Sequence, residues 1–111
     1  MPKKRTNYDC AAGCSVEATL ELIGGKWKGV ILYHLFLKDV LRFNELRRLV
    51  PTITQRMLTN QLRELEQDKI ISRKIYPEIP PKVEYRLTEN GMTLKPIIHA
   101  LKAWGDVYLG K

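Results

Sequence analysis

Apolar positions recur along this chain first with a helical period and then with a strand period. In SVEATLELIGG, Val16, Leu20 and Ile23 fall at i, i+4 and i+7, and Gly24-Gly25 closes the run, which predicts a first helix. KWKGVILYHLFLKD predicts a second, with Trp27, Val30, Ile31 and Leu35 on one face. It is apolar nearly all round, as a helix through the centre of a domain would be. LRFNELRRLV predicts a short third helix with Phe43, Leu46 and Leu49 or Val50 inward, ended by Pro51. After a brief turn, TITQRMLTNQLRELEQDKI carries the clearest stripe, Leu58, Leu62 and Leu65. Good helix formers fill its second half, and Thr52 or Thr54 can cap its start.

The period then drops to two. IISRKIY and KVEYRLT alternate apolar and polar residues and predict two strands, joined by the stiff, projecting loop PEIPP. Thr88 can cap a last helix, ENGMTLKPIIHALKAWGDVYLGK, which Pro96 should kink or split. Beyond Pro96, Ile97, Leu101, Trp104 and Tyr108 share one face. The expected fold class is mainly α with a two-stranded β wing, a winged helix-turn-helix. A chain of 111 residues has room for one domain and a modest core, burying roughly 65% of the surface its unfolded form exposes. Within 1–111 the expected parts are an N-terminal arm over 1–13, a helix-turn-helix over 42–68, a wing over 70–88 and a dimerisation helix over 89–109.

Charge points to a partner. Nineteen Lys+Arg against twelve Asp+Glu give a net charge of +7, and a basic excess on so small a domain suits a polyanion, most commonly nucleic acid. The leucine stripe of the fourth helix pins it to the core and leaves Thr54, Gln55, Arg56, Thr59, Asn60 and Arg63 for a partner. Gln and Asn pair bidentately with adenine, Arg with guanine, and Thr touches the thymine methyl or a phosphate. The N-terminal half of such a helix reaches the base edges, so Thr54, Gln55 and Arg56 lead, with Thr59 and Asn60 next. Its acids, Glu64, Glu66 and Asp68, all lie late, which argues against a plain solvated face. In the wing, Arg73, Lys74 and Lys82, with Arg86 further along, suit phosphates or the minor groove. Lysines and prolines also keep a strand edge from pairing with other chains, and both roles hold together. Arg42, Arg47 and Arg48 of the third helix add candidate phosphate contacts.

Other chemistries fit less well. A phosphate-binding loop in IGGKWK would need an upstream glycine and a Ser/Thr after the lysine, where Trp27 stands. Zinc needs about four ligands; beyond Cys10 and Cys14 there are only His34 and His99, both in apolar helical stretches. Neither a metal nor a cofactor is expected. No catalytic set is suggested by the spacing, so no enzyme is expected. No apolar run approaches the roughly 18 residues of a membrane span. The basic start MPKKRTNYDC has no apolar stretch behind it, so no signal peptide is read and the expected compartment is the cytosol. The leading expectation is a sequence-specific regulator on double-stranded DNA. The alternative is a winged-helix protein-interaction module; an RNA reader is third, since the aromatic stacking platform for single strands is missing. No effector or ligand pocket is inferred.

CSVEATLELIGGKWKGVILYHL, LRFNELRRLVPTITQRMLTNQLRELEQDKII and YRLTENG together resemble the HxlR-type winged helix-turn-helix transcriptional regulators, over about Cys14 to Trp104. The resemblance implies a homodimer built by the N- and C-terminal helices, with two recognition helices in successive major grooves of a pseudo-palindrome. Its DNA-facing positions correspond to Thr54, Gln55, Arg56 and the wing. Ser15 departs from the proline that many relatives carry after the cysteine, a change between two residues that both suit a helix start. Independently, Trp104 and Tyr108 extend an apolar stripe further than a small monomer core can cover. The candidate interface is therefore Val16, Leu20, Ile97, Leu101, Trp104 and Tyr108, with packing on the second helix as the simpler alternative.

CAAGC, Cys10 to Cys14, holds both cysteines. Cys14 is expected at or next to the first N-cap, where the helix dipole acts on a thiol, and CSVE mimics a capping box with Glu17. The resemblance implies a thiol switch at the Cys14 position in some relatives; an inert cap or buried cysteine is the other reading. Cys10 is open between resolving Cys14 oxidation, pairing across a dimer and doing nothing.

Overall fold

The stripes converge on one core in the computed structural model of the protein, which describes residues 12–111. Cys10 and most of the expected arm lie outside the described residues. The elements run α1 (Cys14–Ile23), α2 (Lys28–Lys38), β1 (Val40–Arg42), α3 (Phe43–Leu49), α4 (Gln55–Gln67), β2 (Ile71–Tyr76), β3 (Lys82–Leu87), α5 (Glu89–Met92) and α6 (Lys95–Leu109). Helix α2 is central: Ile31, Leu32 and Leu35 are fully buried against Leu46, Leu58, Leu62, Leu65 and Ile71. Each such side chain contributes roughly 1.5–3 kcal/mol on removal from water. One inward position differs from expectation: Val30 is exposed, and Leu32 completes the inner face of α2. Of the two alternatives at the end of α3, Val50 is the buried one and Leu49 is exposed.

The wing is not a two-stranded unit on its own. Val40–Arg42 forms β1, which pairs antiparallel with β3, so the sheet order is β1-β3-β2. Leu41 is buried opposite Tyr85, and Arg42 stands opposite Glu84. Three residues are too few for an alternation to register in the sequence, and Leu41 and Arg42 fall in the stretch expected to open the third helix. The sheet partner decides otherwise, because β1 covers the edge of β3 that a bare hairpin leaves unpaired. Helix α3 therefore begins at Phe43, after an extended Arg42 whose N–H donates to Glu45 Oε1 at 2.7 Å.

The C-terminal segment splits at the proline. The Thr88 hydroxyl oxygen accepts from Gly91 N–H at 2.9 Å and caps α5, while Thr88 N–H donates to Ile70 O at 3.0 Å. These bonds fasten α5 to the start of β2. Gly91 is required there, since a Cβ would stand 2.0 Å from Ile70 O. Pro96 falls in the first turn of α6, where its missing N–H has no helical partner to lose. Ile98 is the residue of α6 that is buried, and His99 meets Phe36 of α2 edge-on at 6.1 Å between ring centroids. Burial, helped by the charge of Lys38, lowers the pKa of the half-buried His34, which favours its neutral form.

Candidate nucleic-acid interface

Helix α4 is anchored by its stripe and open elsewhere. Thr54 is its N-cap, and the hydroxyl oxygen accepts from Met57 N–H at 3.1 Å. Of the two threonines that could cap, Thr54 does so because its backbone is extended just before the first helical residue. Leu58, Leu62 and Leu65 are buried, while Thr54, Gln55, Arg56, Asn60 and Arg63 are exposed and Thr59 is half-buried. Thr59 donates its hydroxyl to Gln55 O at 2.9 Å, leaving oxygen lone pairs and a methyl outward. The first turn of α4 carries no acid. Arg47 and Arg48 are exposed in the last turn of α3.

Two of the late acids, Glu64 and Glu66, pair with cations of the same chain. Glu64 Oε1 accepts from Lys28 Nζ at 2.5 Å, and Lys28 is 6% exposed, so this pair ties the start of α2 to α4. Glu66 Oε2 stands 3.6 Å from Arg73 Nε, an ion pair between α4 and β2.

Strand register separates the wing cations onto two faces. Arg73 pairs with Tyr85, and Lys74 with Glu84; odd positions of β2 and β3 face α4 and even positions face away. Lys74, Lys82 and Arg86 therefore share a face with Tyr76 and Glu84. There Tyr76 donates its hydroxyl to Glu84 Oε1 at 2.8 Å, with Lys74 Nζ 4.9 Å and Lys82 Nζ 5.0 Å from its ring centroid. The Tyr76 hydrogen bond, with Lys82 and Arg86 nearby, lowers the Glu84 carboxyl pKa. Arg73, Lys74 and Lys82, grouped as one phosphate-binding set in the sequence, are thus divided, and Glu84 partly neutralises two of the outer cations.

A second surface, between α1 and α6, is largely apolar. Val16 and Leu20 of α1 and Ile97 and Leu101 of α6 are exposed and wall a groove of about 790 Å³, floored by Ile23 and Ile98. Trp104 and Tyr108 lie further along α6, 70% and 75% exposed, with their rings stacked at 5.4 Å. At that exposure neither ring is covered by α2, which meets α6 nearer its start, where His99 faces Phe36 and Leu101 and Lys102 share the groove with Val30 and Tyr33. Cys14 is half-buried as the first residue of α1. The capping box expected in CSVE is absent: Gly13, at φ 101°, is the N-cap, and Glu17 N–H donates to Gly13 O at 3.0 Å. The glycine adopts the left-handed conformation that leads the chain into the helix, one residue earlier than the motif requires.

Residues 22–111 match the HxlR-like helix-turn-helix family. The chain belongs to this family. It is 56% identical over 106 residues to the HTH-type transcriptional regulator YybR of Bacillus subtilis (strain 168), covering 96% of this chain and 84% of that protein. Among solved structures it resembles the redox regulator HypR in its oxidised form, at 58% identity and a TM-score of 0.81, over 85% of this chain and 96% of that one. The reduced transcriptional regulator YodB from B. subtilis aligns at 39% identity and a TM-score of 0.70, over 83% of this chain and 89% of that one. The protein is an HxlR-family helix-turn-helix transcriptional regulator, a class of DNA-binding proteins rather than of enzymes. Among the described residues no helix is long and apolar enough to cross a membrane.

Sequence reasoning missed Lys28, Glu66, Tyr76, Tyr85 and the role of Glu84. Strand alternation did contain one signal: positions of equal parity on β2 and β3 share a face, which already separates Arg73 from Lys74.

Proposed function

We propose that this regulator acts in the cytosol as a homodimer that reads a pseudo-palindromic DNA operator. Helix α4 of each protomer enters a major groove, with Thr54, Gln55 and Arg56 on base edges, Thr59 and Asn60 next to them, and Arg63 nearer the backbone. Arg47, Arg73, Lys74 and Lys82 take phosphates. The observation that carries this reading is α4 itself. Its leucine stripe is buried in the core, its exposed first half offers base-reading side chains, and its acids Glu64 and Glu66 are paired with Lys28 and Arg73. The groove of α1 and α6, continued by Trp104 and Tyr108, supports a two-fold dimer. Such symmetry sets half-sites about one helical turn apart.

Selection of bound duplexes from random DNA tests this. The expected result is a near-palindrome, bound with a log–log salt slope of about −0.9 per phosphate contacted. Equal binding to the selected and scrambled duplexes would discard the reading in favour of a protein-interaction module.

A second reading concerns Cys14. We infer a thiol response there, supported by the likeness to HypR, a redox regulator by name, and by the half-buried thiol at the start of α1. Cys14→Ser is expected to keep DNA binding and lose any response to diamide or quinones, measured by band shift. A response that survives the substitution removes Cys14 from the mechanism.

A further inference from the structure

Arg73 and Tyr85 are direct cross-strand partners, so their side chains leave the same face of the wing. Helix α4 presents Gln55, Thr59, Arg63 and Glu66 toward that face, at the three- to four-residue spacing that aligns side chains along one side of a helix. Together these six residues wall a cleft of about 250 Å³ between recognition helix and wing. Two guanidinium groups against one carboxylate leave the cleft one positive charge in excess. Tyr85 is a buried phenol at its wall; burial raises its pKa, with Arg73 pulling the other way, so it stays neutral and keeps a proton to donate. Around the rim are the Thr59 hydroxyl and the Gln55 amide.

This donor set fits a phosphodiester, which carries one negative charge and two free oxygens. Glu66 engages Arg73 on its Nε side, at 3.6 Å. Arg73 also hydrogen-bonds the Tyr85 side chain, and the rest of its five-donor fork is left for a ligand. We propose that Arg63 of the recognition helix and Arg73 of the wing clamp one and the same backbone phosphate of the duplex, with Glu66 as the positioning residue that orients Arg73. The clamp rests on the DNA-reading role of α4 and adds that helix and wing converge on one phosphate instead of taking one each. It locks the insertion depth of α4 to the placement of the wing and carries no sequence information of its own.

The test uses the duplex selected by the wild-type protein and a scrambled duplex, each titrated across a salt series. Arg63→Gln, Arg73→Gln and the double variant keep the side-chain stems, and thermal denaturation checks that each remains folded. A shared phosphate predicts that each single variant, whose remaining arginine still holds that phosphate, weakens binding with little change in the log–log slope, and that the double variant makes the slope shallower by about 0.9 per protomer. The ratio of affinities for the two duplexes should hold in all three. Glu66→Gln removes an acid beside the DNA, so charge alone predicts tighter binding; positioning predicts weaker binding, in the direction of Arg73→Gln. A slope loss of about 1.8 in the double variant would overturn the shared phosphate. Tighter binding by Glu66→Gln would overturn the positioning role. If the wild type fails to distinguish the duplexes, the sequence-reading assignment falls, while the slopes on the scrambled duplex still decide the clamp.

Discussion

Helices α4 and α6 are both amphipathic, and their apolar faces meet opposite ends. In α4, Leu58, Leu62 and Leu65 are sealed in the core, and the polar face looks outward. In α6 only Ile98 is sealed, while Ile97, Leu101, Trp104 and Tyr108 stand in the open. The difference lies in the neighbours. Helix α4 sits over the core built on α2 and is backed by β2, whereas α6 buries Ile98 and leaves the rest of its apolar stripe uncovered. Apolar surface is driven from water without regard to what covers it. One helix has solved that problem within the chain and leaves its polar side free, as the proposed DNA reading requires; the other leaves its apolar side free, as the proposed dimer requires.

Substitutions on the two stripes should break or sharpen this contrast. The largest effect is expected for Leu62→Ala, at about 2–5 kcal/mol of stability lost to a core cavity. Urea denaturation should show that loss at every protein concentration. Trp104→Ala should hardly change the stability of a single chain but weaken dimerisation by about 2 kcal/mol, roughly 30-fold in Kd, measured by sedimentation. If Trp104→Ala destabilised the chain as Leu62→Ala does, irrespective of concentration, the two helices would not differ as described. On the outer face of α4, Arg56→Ala is expected to cost about 1–3 kcal/mol on the selected operator and to relax the preference at one base pair. Uniform weakening on all sequences would assign Arg56 to the backbone. The smallest effect is that of Thr54→Ala, which strips Met57 N–H of its acceptor and should cost about 1 kcal/mol of stability. Thr54→Ser should restore most of it in the same denaturation assay.

The legible parts of the fold are those held by local rules. Helix α4 combines a long stripe, good helix formers and a capping threonine, all within contiguous residues. Pro96 marks the break between α5 and α6 because the chemistry of proline acts on its own turn. What stayed hidden depends on distant partners. Strand β1 is three residues long and exists because β3 lies beside it. The start of α1 shifted by one residue because Gly13 takes a left-handed conformation that no apolar pattern reports. The site divides in the same way. Exposure of the α4 side chains follows from the stripe they oppose, so the candidates Thr54 to Arg63 could be named from periodicity. The pairing of Glu66 with Arg73 across helix and wing could not, and neither could that of Lys28 with Glu64, 36 residues apart.

The amino-acid sequence by itself determined the order of the helices, the two strands of the hairpin, the face of α4 that is free and the family resemblance, since each is written in near-neighbour spacing and side-chain chemistry. Only the tertiary structure decided the third strand, which wing cations meet the recognition helix, and which apolar stripe is left uncovered. Those outcomes depend on which surfaces are brought together across long stretches of chain, and that is settled by packing rather than by any local preference.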